Sequence, residues 1–318
     1  MSSPRADVSV SAAKHTQRAA SARCVLFAAL AALVHSACAP IPVVRIALIG
    51  DAMLGRGVAA ARGGGWEDAF GSLAPVLQAA DFAAANLESP IGCETPADDD
   101  RRVLLAPPGA EAALSAAGID ILTMVNNHAG DGGPEAAECT RTALSERGIR
   151  LVREPLRPLE VEAHGVGVSF LAADFVDPSP EDYLAGLVRA VQAEKRSGRI
   201  VVVSLHWGLE YQSGEDVLQE RIARALAAAG ADVLWGHHPH VVQPAEWIGR
   251  TLVLYSLGNA LFDQPEPAAA RRGGLVWVEA DRFRVRGFIS FAFAIDLRNG
   301  RTGSPDPLSL RVSYPPDR

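Results

Sequence analysis

Short apolar runs rich in β-branched residues alternate along this chain with longer stretches of helical spacing, regularly enough to predict elements. Residues 43–49 (VVRIALI) read as a buried strand that feeds a loop at Gly50-Asp51. Residues 66–80 have helical spacing, 82–85 form a brief strand, and 111–117 form a helix that Gly118 stops. Residues 119–125 (IDILTMV) predict another strand and 134–147 another helix, with Gly148 as its stop signal. The second half repeats this order, with strands at 166–172, 200–205, 233–235 and 252–257 and helices at 182–196 and 218–229. Strand alternating with helix favours a largely parallel sheet with covering helices. Residues 264–270, rich in proline and alanine, predict a loop, and 275–313 predict closing β-structure.

The first 39 residues depart from this pattern. A basic stretch carrying Arg5, Lys14, Arg18 and Arg23 precedes an apolar run at 24–34 and small residues at 36–39. This is the layout of a signal peptide or membrane-targeting leader over 1–39, and Ala37-x-Ala39 suits cleavage. Its 11 apolar residues fall short of the ~20 that a spanning helix needs. The expectation is therefore an exported protein of the periplasm, cell envelope or exterior, with a single domain over 40–318 whose motif-bearing core is 44–263. With 48% hydrophobic residues the chain can bury a sizeable core. The leader carries a net charge of +3, so the remainder of a chain of net charge −7 sits at −10. That sign argues against a general nucleic-acid binder, which must neutralise phosphates. Cys24 and Cys38 fall in the leader. Cys93 and Cys139 remain, free to form one disulfide in an oxidising compartment or to stay as two buried thiols.

Unusual polar residues recur just after the predicted strands. Asp51 follows the first, Asn86-Leu87-Glu88 the second, Asn126-Asn127-His128 the third, His206-Trp207-Gly208 a later one, and Gly236-His237-His238-Pro239-His240 the next. Singly, most have plain structural explanations: Asp51 and Glu88 as cap or turn residues, Asn126-Asn127 as a turn, His206 as a core histidine. Three imidazoles within four residues after a strand would pack poorly, however, and the carboxyl ends of strands in α/β sheets are where ligands bind. Two carboxylates, an asparagine and at least three imidazoles make a mixed nitrogen and oxygen set suited to manganese, iron or zinc. Two such ions bridged by one carboxylate would generate hydroxide near neutral pH and stabilise an attacked phosphoryl or carbonyl oxygen, so hydrolysis is the natural reaction class.

Taken in order, the motifs GDAMLGR at 50–56, NLE at 86–88, NNHAGD at 126–131, HWGLE at 206–210, GHHPHVVQP at 236–244 and YSLGN at 255–259 resemble the CapA family of bacterial capsule and poly-γ-glutamate synthesis, within the calcineurin-like metallophosphoesterase group. The resemblance implies a four-layer α/β/β/α sandwich with two divalent ions at the strand ends. By that resemblance Asp51 binds the first metal, Glu88 bridges, Asn127 and His206 bind the second, and two of His237, His238 and His240 complete the set. His128 would be the general acid, with Asp131 the acidic residue following it in the motif, and Arg56 and Asn259 would hold an anionic substrate. Met53 stands where calcineurin-like enzymes carry a histidine, and Ala129 where they carry an acidic residue.

The function so implied is an exported, metal-dependent hydrolase-like protein of capsule or poly-γ-glutamate biosynthesis, acting on a phosphoester or amide. The alternative is a non-catalytic envelope protein that binds or guides an anionic capsule polymer for the capsule-synthesis machinery.

Overall fold

The computed structural model describes residues 41–95, 102–176 and 181–316. The leader at 1–39 lies outside these residues. Fifteen strands are described: β1 (Val43–Ala52), β2 (Phe82–Leu87), β3 (Ile121–Thr123), β4 (Arg150–Val152), β5 (Leu159–Ala163), β6 (Val166–Asp174), β7 (Ile200–His206), β8 (Val233–His237), β9 (Ala245–Ile248), β10 (Thr251–Leu254), β11 (Asn259–Leu261), β12 (Arg272–Asp281), β13 (Val285–Asp296), β14 (Arg301–Thr302) and β15 (Asp306–Ser313). The helices are α1 (Arg56–Arg62), α2 (Ala74–Leu77), α3 (Glu111–Ala117), α4 (Gly133–Glu146), α5 (Glu181–Arg196) and α6 (Val217–Ala229).

The strands form two sheets, as the resemblance implied and the local alternation alone did not. The first runs β14-β13-β12-β1-β2-β3-β4, with β11 also pairing β1 and β15 pairing β13; the second runs β5-β6-β7-β8-β10-β9. Each holds a parallel stretch, β1 to β4 in one and β6-β7-β8-β10 in the other, so the βα alternation read from the sequence holds within each half. Antiparallel hairpins extend both. The closing strands β12 and β13 insert beside β1, a long-range pairing that no local pattern announces.

One core contains residues of both sheets: Ile46 and Leu48 of β1, Ala84 of β2, Phe170 of β6, Val202 of β7, Trp235 of β8 and Val278 of β12. Their alternate neighbours face elsewhere. Leu171, Val203, Leu205 and Leu234 pack against Leu187 and Val191 of α5 and Ile222 and Leu226 of α6. Two polar bonds tie the sheets together: Trp235 Nε1 donates to the Ile49 carbonyl at 3.0 Å, and the Thr123 and Ser204 hydroxyls meet at 3.0 Å.

Local signals placed several boundaries. α3 ends at Gly118, in the left-handed region at φ +81°, and Gly148 at φ +73° follows α4. α6 starts on a capping box in which Asp216 accepts from the Gln219 backbone and Gln219 returns the bond. The helix expected over 66–80 shortens to α2. Turns bonded three residues apart precede it, because Gly71 interrupts the run and Pro75 can only restart a helix at its first turn. Trp66, Phe70, Leu73 and Leu77 are nonetheless buried, so the spacing had identified the inward face correctly.

Candidate metal centre

The parallel register brings the polar strand ends together. In the first sheet Asp51 pairs with Asn86 across β1 and β2, and with Asn259 across β1 and β11; in the second His206 pairs with Asp174 on one side and His237 on the other. Two glycines permit the close approach. A Cβ on Gly50 would stand 1.8 Å from the Gly258 carbonyl oxygen, and one on Gly236 would stand 1.9 Å from that of Tyr255, so no other residue fits either place.

Asp51, Glu88, His206, His237, His238 and His240 are all buried. Asp51 Oδ1 accepts from Asn86 Nδ2 at 2.9 Å and lies 3.1 Å from His237 Nδ1, while Oδ2 accepts from the His238 backbone N–H at 3.1 Å. The His237 contact has ion-pair distance without hydrogen-bond alignment, and both ring nitrogens of His237 remain unsatisfied. Glu88 Oε1 is 3.7 Å from His206 Nε2 and 3.8 Å from His240 Nε2. One Glu88 oxygen and one ring nitrogen each of His238 and His240 lie within 4.8 Å of one another. Asn127 reaches the cluster through His206, its Oδ1 2.9 Å from Nε2.

Burial opposes ionisation here. Burial, then the charges of Asp51 and Glu210, raises the Glu88 carboxyl well above its usual value. Burial would raise Asp51 too, but the 3.1 Å approach of His237 and the positive charge that His237, His240 and His206 carry when protonated outweigh it and hold Asp51 far below the carboxylate range. Burial pushes His206 well below an ordinary histidine, His238 to about 4, and His240 downward. His206, His238 and His240 are therefore neutral at pH 7, the form in which imidazole ligates metal.

A divalent ion suits this donor set. Both Glu88 oxygens, His206 Nδ1, both His237 nitrogens and His238 Nδ1 are buried without a hydrogen-bond partner. So many orphaned polar atoms in one place would be costly in an apolar site, and a cation would satisfy the acceptors among them together. Zinc, iron and manganese all accept this mixture of nitrogen and oxygen donors.

The remaining expected residues surround this cluster. His128 Nδ1 is 3.0 Å from Asp131 Oδ2, which also accepts from the Leu104 backbone at 2.7 Å, so Asp131 orients an imidazole that stays partly exposed. The Arg56 guanidinium is paired with Asp263 and lies 5.6 Å over the Phe262 ring. Asn259 is fully buried. Its Nδ2 donates to Gln264 and to the Ala270 carbonyl, and its Oδ1 meets His240 Nδ1 at 2.9 Å. With both N–H donors used, Asn259 stands behind His240 and presents no donor to a substrate. Met53 is buried at the strand end, its sulfur accepting from the Gly55 N–H at 3.1 Å.

Some participants escaped the sequence reading. Asn126 binds Asn86, Leu87 and the His128 backbone, so it ties the second strand end to the third, a task that its turn-like sequence hides. Asp263 and Gln264 lie in or beside a stretch that reads only as loop. Cys93 and Cys139 form a disulfide that links the segment after Glu88 to α4.

The model of the bacterial capsule synthesis protein family PGA_cap matches residues 45–264. The chain is 29% identical over 243 residues to the capsule biosynthesis protein CapA of Bacillus anthracis, covering 68% of this chain and 59% of that protein. It is 29% identical over 244 residues to the PGA biosynthesis protein CapA of Bacillus subtilis, covering 70% of this chain and 64% of that protein. The match thus spans less than two thirds of either relative's length.

Proposed function

The chain belongs to the bacterial capsule synthesis protein family PGA_cap, and from that membership we propose that it is an exported, metal-dependent hydrolase-like protein of capsule or poly-γ-glutamate biosynthesis. The observation that carries this reading is the Glu88 carboxylate, buried without a single donor and facing three neutral imidazoles. We read the two sheets and their helices as a four-layer α/β/β/α sandwich forming one domain over 40–318, behind a leader at 1–39. The Cys93–Cys139 bridge supports export, since such bonds persist in oxidising compartments. Among the described residues no helix is long and apolar enough to cross a membrane.

Asp51, Glu88, Asn127, His206, His237, His238 and His240 would hold two divalent ions. Such ions supply Lewis-acid polarisation of a phosphoryl or carbonyl oxygen and an activated nucleophile at neutral pH. The chain's own residues do the rest. His128, oriented through Nδ1 by Asp131, presents Nε2 to protonate the leaving group. Arg56, fixed by Asp263 and Phe262, sets a positive charge beside an anionic substrate. Asn259 holds the His240 ring in orientation from behind, as groups beyond the ligands of metal sites do.

Elemental analysis of the purified chain beside a His206→Ala, His240→Ala double variant tests the reading. The expected result is about two divalent ions per chain in the wild type and their loss in the variant. A wild type that stays metal-free after manganese or zinc is supplied refutes it. Metal binding without turnover of phosphodiester or γ-glutamyl amide substrates would leave a polymer-binding protein that uses the ions as an anion clamp.

A further inference from the structure

Backbone strain concentrates around this centre. Six non-glycine residues of the described chain have positive φ, and four of them are Arg56, Tyr211, His238 and His240. For a bulky L-residue that conformation is unfavourable and persists only where the surroundings impose it. His238 and His240 are ligand candidates and Arg56 borders the same site. Tyr211, at φ +64°, has had no part so far.

Its surroundings impose the strain. The Tyr211 backbone N–H donates to the Pro239 carbonyl at 2.8 Å, clamping this loop onto the Gly-His-His-Pro-His segment. The ring lies 6.2 Å from that of His240, and the residue is 39% exposed. Gln264 Nε2 donates to the phenol oxygen at 3.0 Å, Asn259 donates to Gln264 Oε1 at 2.9 Å, and Asn259 Oδ1 holds His240. The same chain of bonds that orients a ligand candidate thus aims the phenol. Its oxygen accepts from Gln264 on one side, and on the other its proton is shared with the neighbouring Glu210 carboxylate. A side chain placed only for packing would not be held half-exposed in a left-handed conformation over a metal centre.

We propose that Tyr211 is a substrate-contacting residue of this site, whose hydroxyl turns its proton from Glu210 to an anionic oxygen of the bound ligand. This rests on the metal-centre reading above. The test uses the full chain loaded with manganese and inorganic phosphate as the probe, with binding followed by isothermal titration calorimetry. Tyr211→Phe is expected to lower phosphate affinity about tenfold, as loss of a hydrogen bond to a charged group does, with metal content and thermal midpoint unchanged. Tyr211→Gly is expected to lower it at least as much without lowering the midpoint in chelator, since glycine adopts this φ freely.

Unchanged phosphate affinity in both variants overturns the proposal. So does a Tyr211→Gly chain that loses metal together with several degrees of midpoint, because Tyr211 would then be a buttress for His240. A wild type that holds manganese but binds no phosphate overturns this inference and leaves the metal centre standing. A wild type that holds no metal overturns both.

Discussion

Replacing Glu88 by glutamine separates the folding cost of this site from its purpose. Glu88 is fully buried, neither oxygen has a donor, and burial with the nearby Asp51 charge raises its pKa. Glutamine keeps the volume and removes the charge. Leaving a buried polar group unsatisfied costs roughly 1–3 kcal/mol, and more when it is ionised; the amide keeps the first cost and sheds the second, so metal-free Glu88→Gln should be more stable than wild type by about 1–2 kcal/mol near pH 7. For a domain of this size that corresponds to a midpoint higher by roughly 2–8 °C. Manganese at about 100 times its dissociation constant should stabilise the wild type by ~2.7 kcal/mol and the variant far less, which reverses the order.

Acidity supplies a second signature. With its folded pKa raised above 4.5, Glu88 keeps a proton in the folded state that the unfolded chain has released. The wild type therefore loses stability as pH rises from about 4.5 through the folded pKa. The variant's advantage should accordingly vanish near pH 4 and grow towards neutrality. Differential scanning fluorimetry in chelator and in manganese, from pH 4 to 8, reads both effects. A variant less stable than wild type in chelator at pH 7, or equal midpoint gains from manganese in both proteins, would refute the reasoning.

Two further substitutions test the support of the site. Asn259→Ala removes the partner of His240 Nδ1 and two bonds to Gln264 and Ala270, so it should cost about 1–3 kcal/mol and weaken manganese binding roughly 10–100-fold, measured by urea unfolding and calorimetric titration. Cys93→Ser opens a bridge spanning 46 residues, worth up to ~4 kcal/mol by the chain-entropy relation. Its urea midpoint should match that of reduced wild type, and a variant as stable as the oxidised protein would disprove the pairing.

The gathering of the candidate site was largely legible in the chain because its residues sit in short motifs directly after strands. A parallel strand delivers whatever follows it to one edge, so Asp51, Glu88, His206 and the 237–240 segment needed only correct strand assignment to be gathered. Asn259 was legible as a motif member and not in its hydrogen-bond partners. Whether an amide faces a ligand or a neighbouring imidazole depends on Gln264 and the Ala270 carbonyl, which come from a stretch that looks like any loop.

By itself the sequence determined the alternation of strand and helix, the glycine stops at 118 and 148, the inward faces and the inventory of candidate metal-ligating groups. Each depends on neighbours within a turn or a strand, where side-chain period and backbone preference act directly. Tertiary structure alone decided that β12 pairs with β1, that Cys93 joins Cys139, and that Glu88 is left without a donor. These are choices among partners far apart in the chain. They are settled by which faces bury together, at closures such as Gly50 on Gly258 and Gly236 on Tyr255 where one additional carbon would not fit.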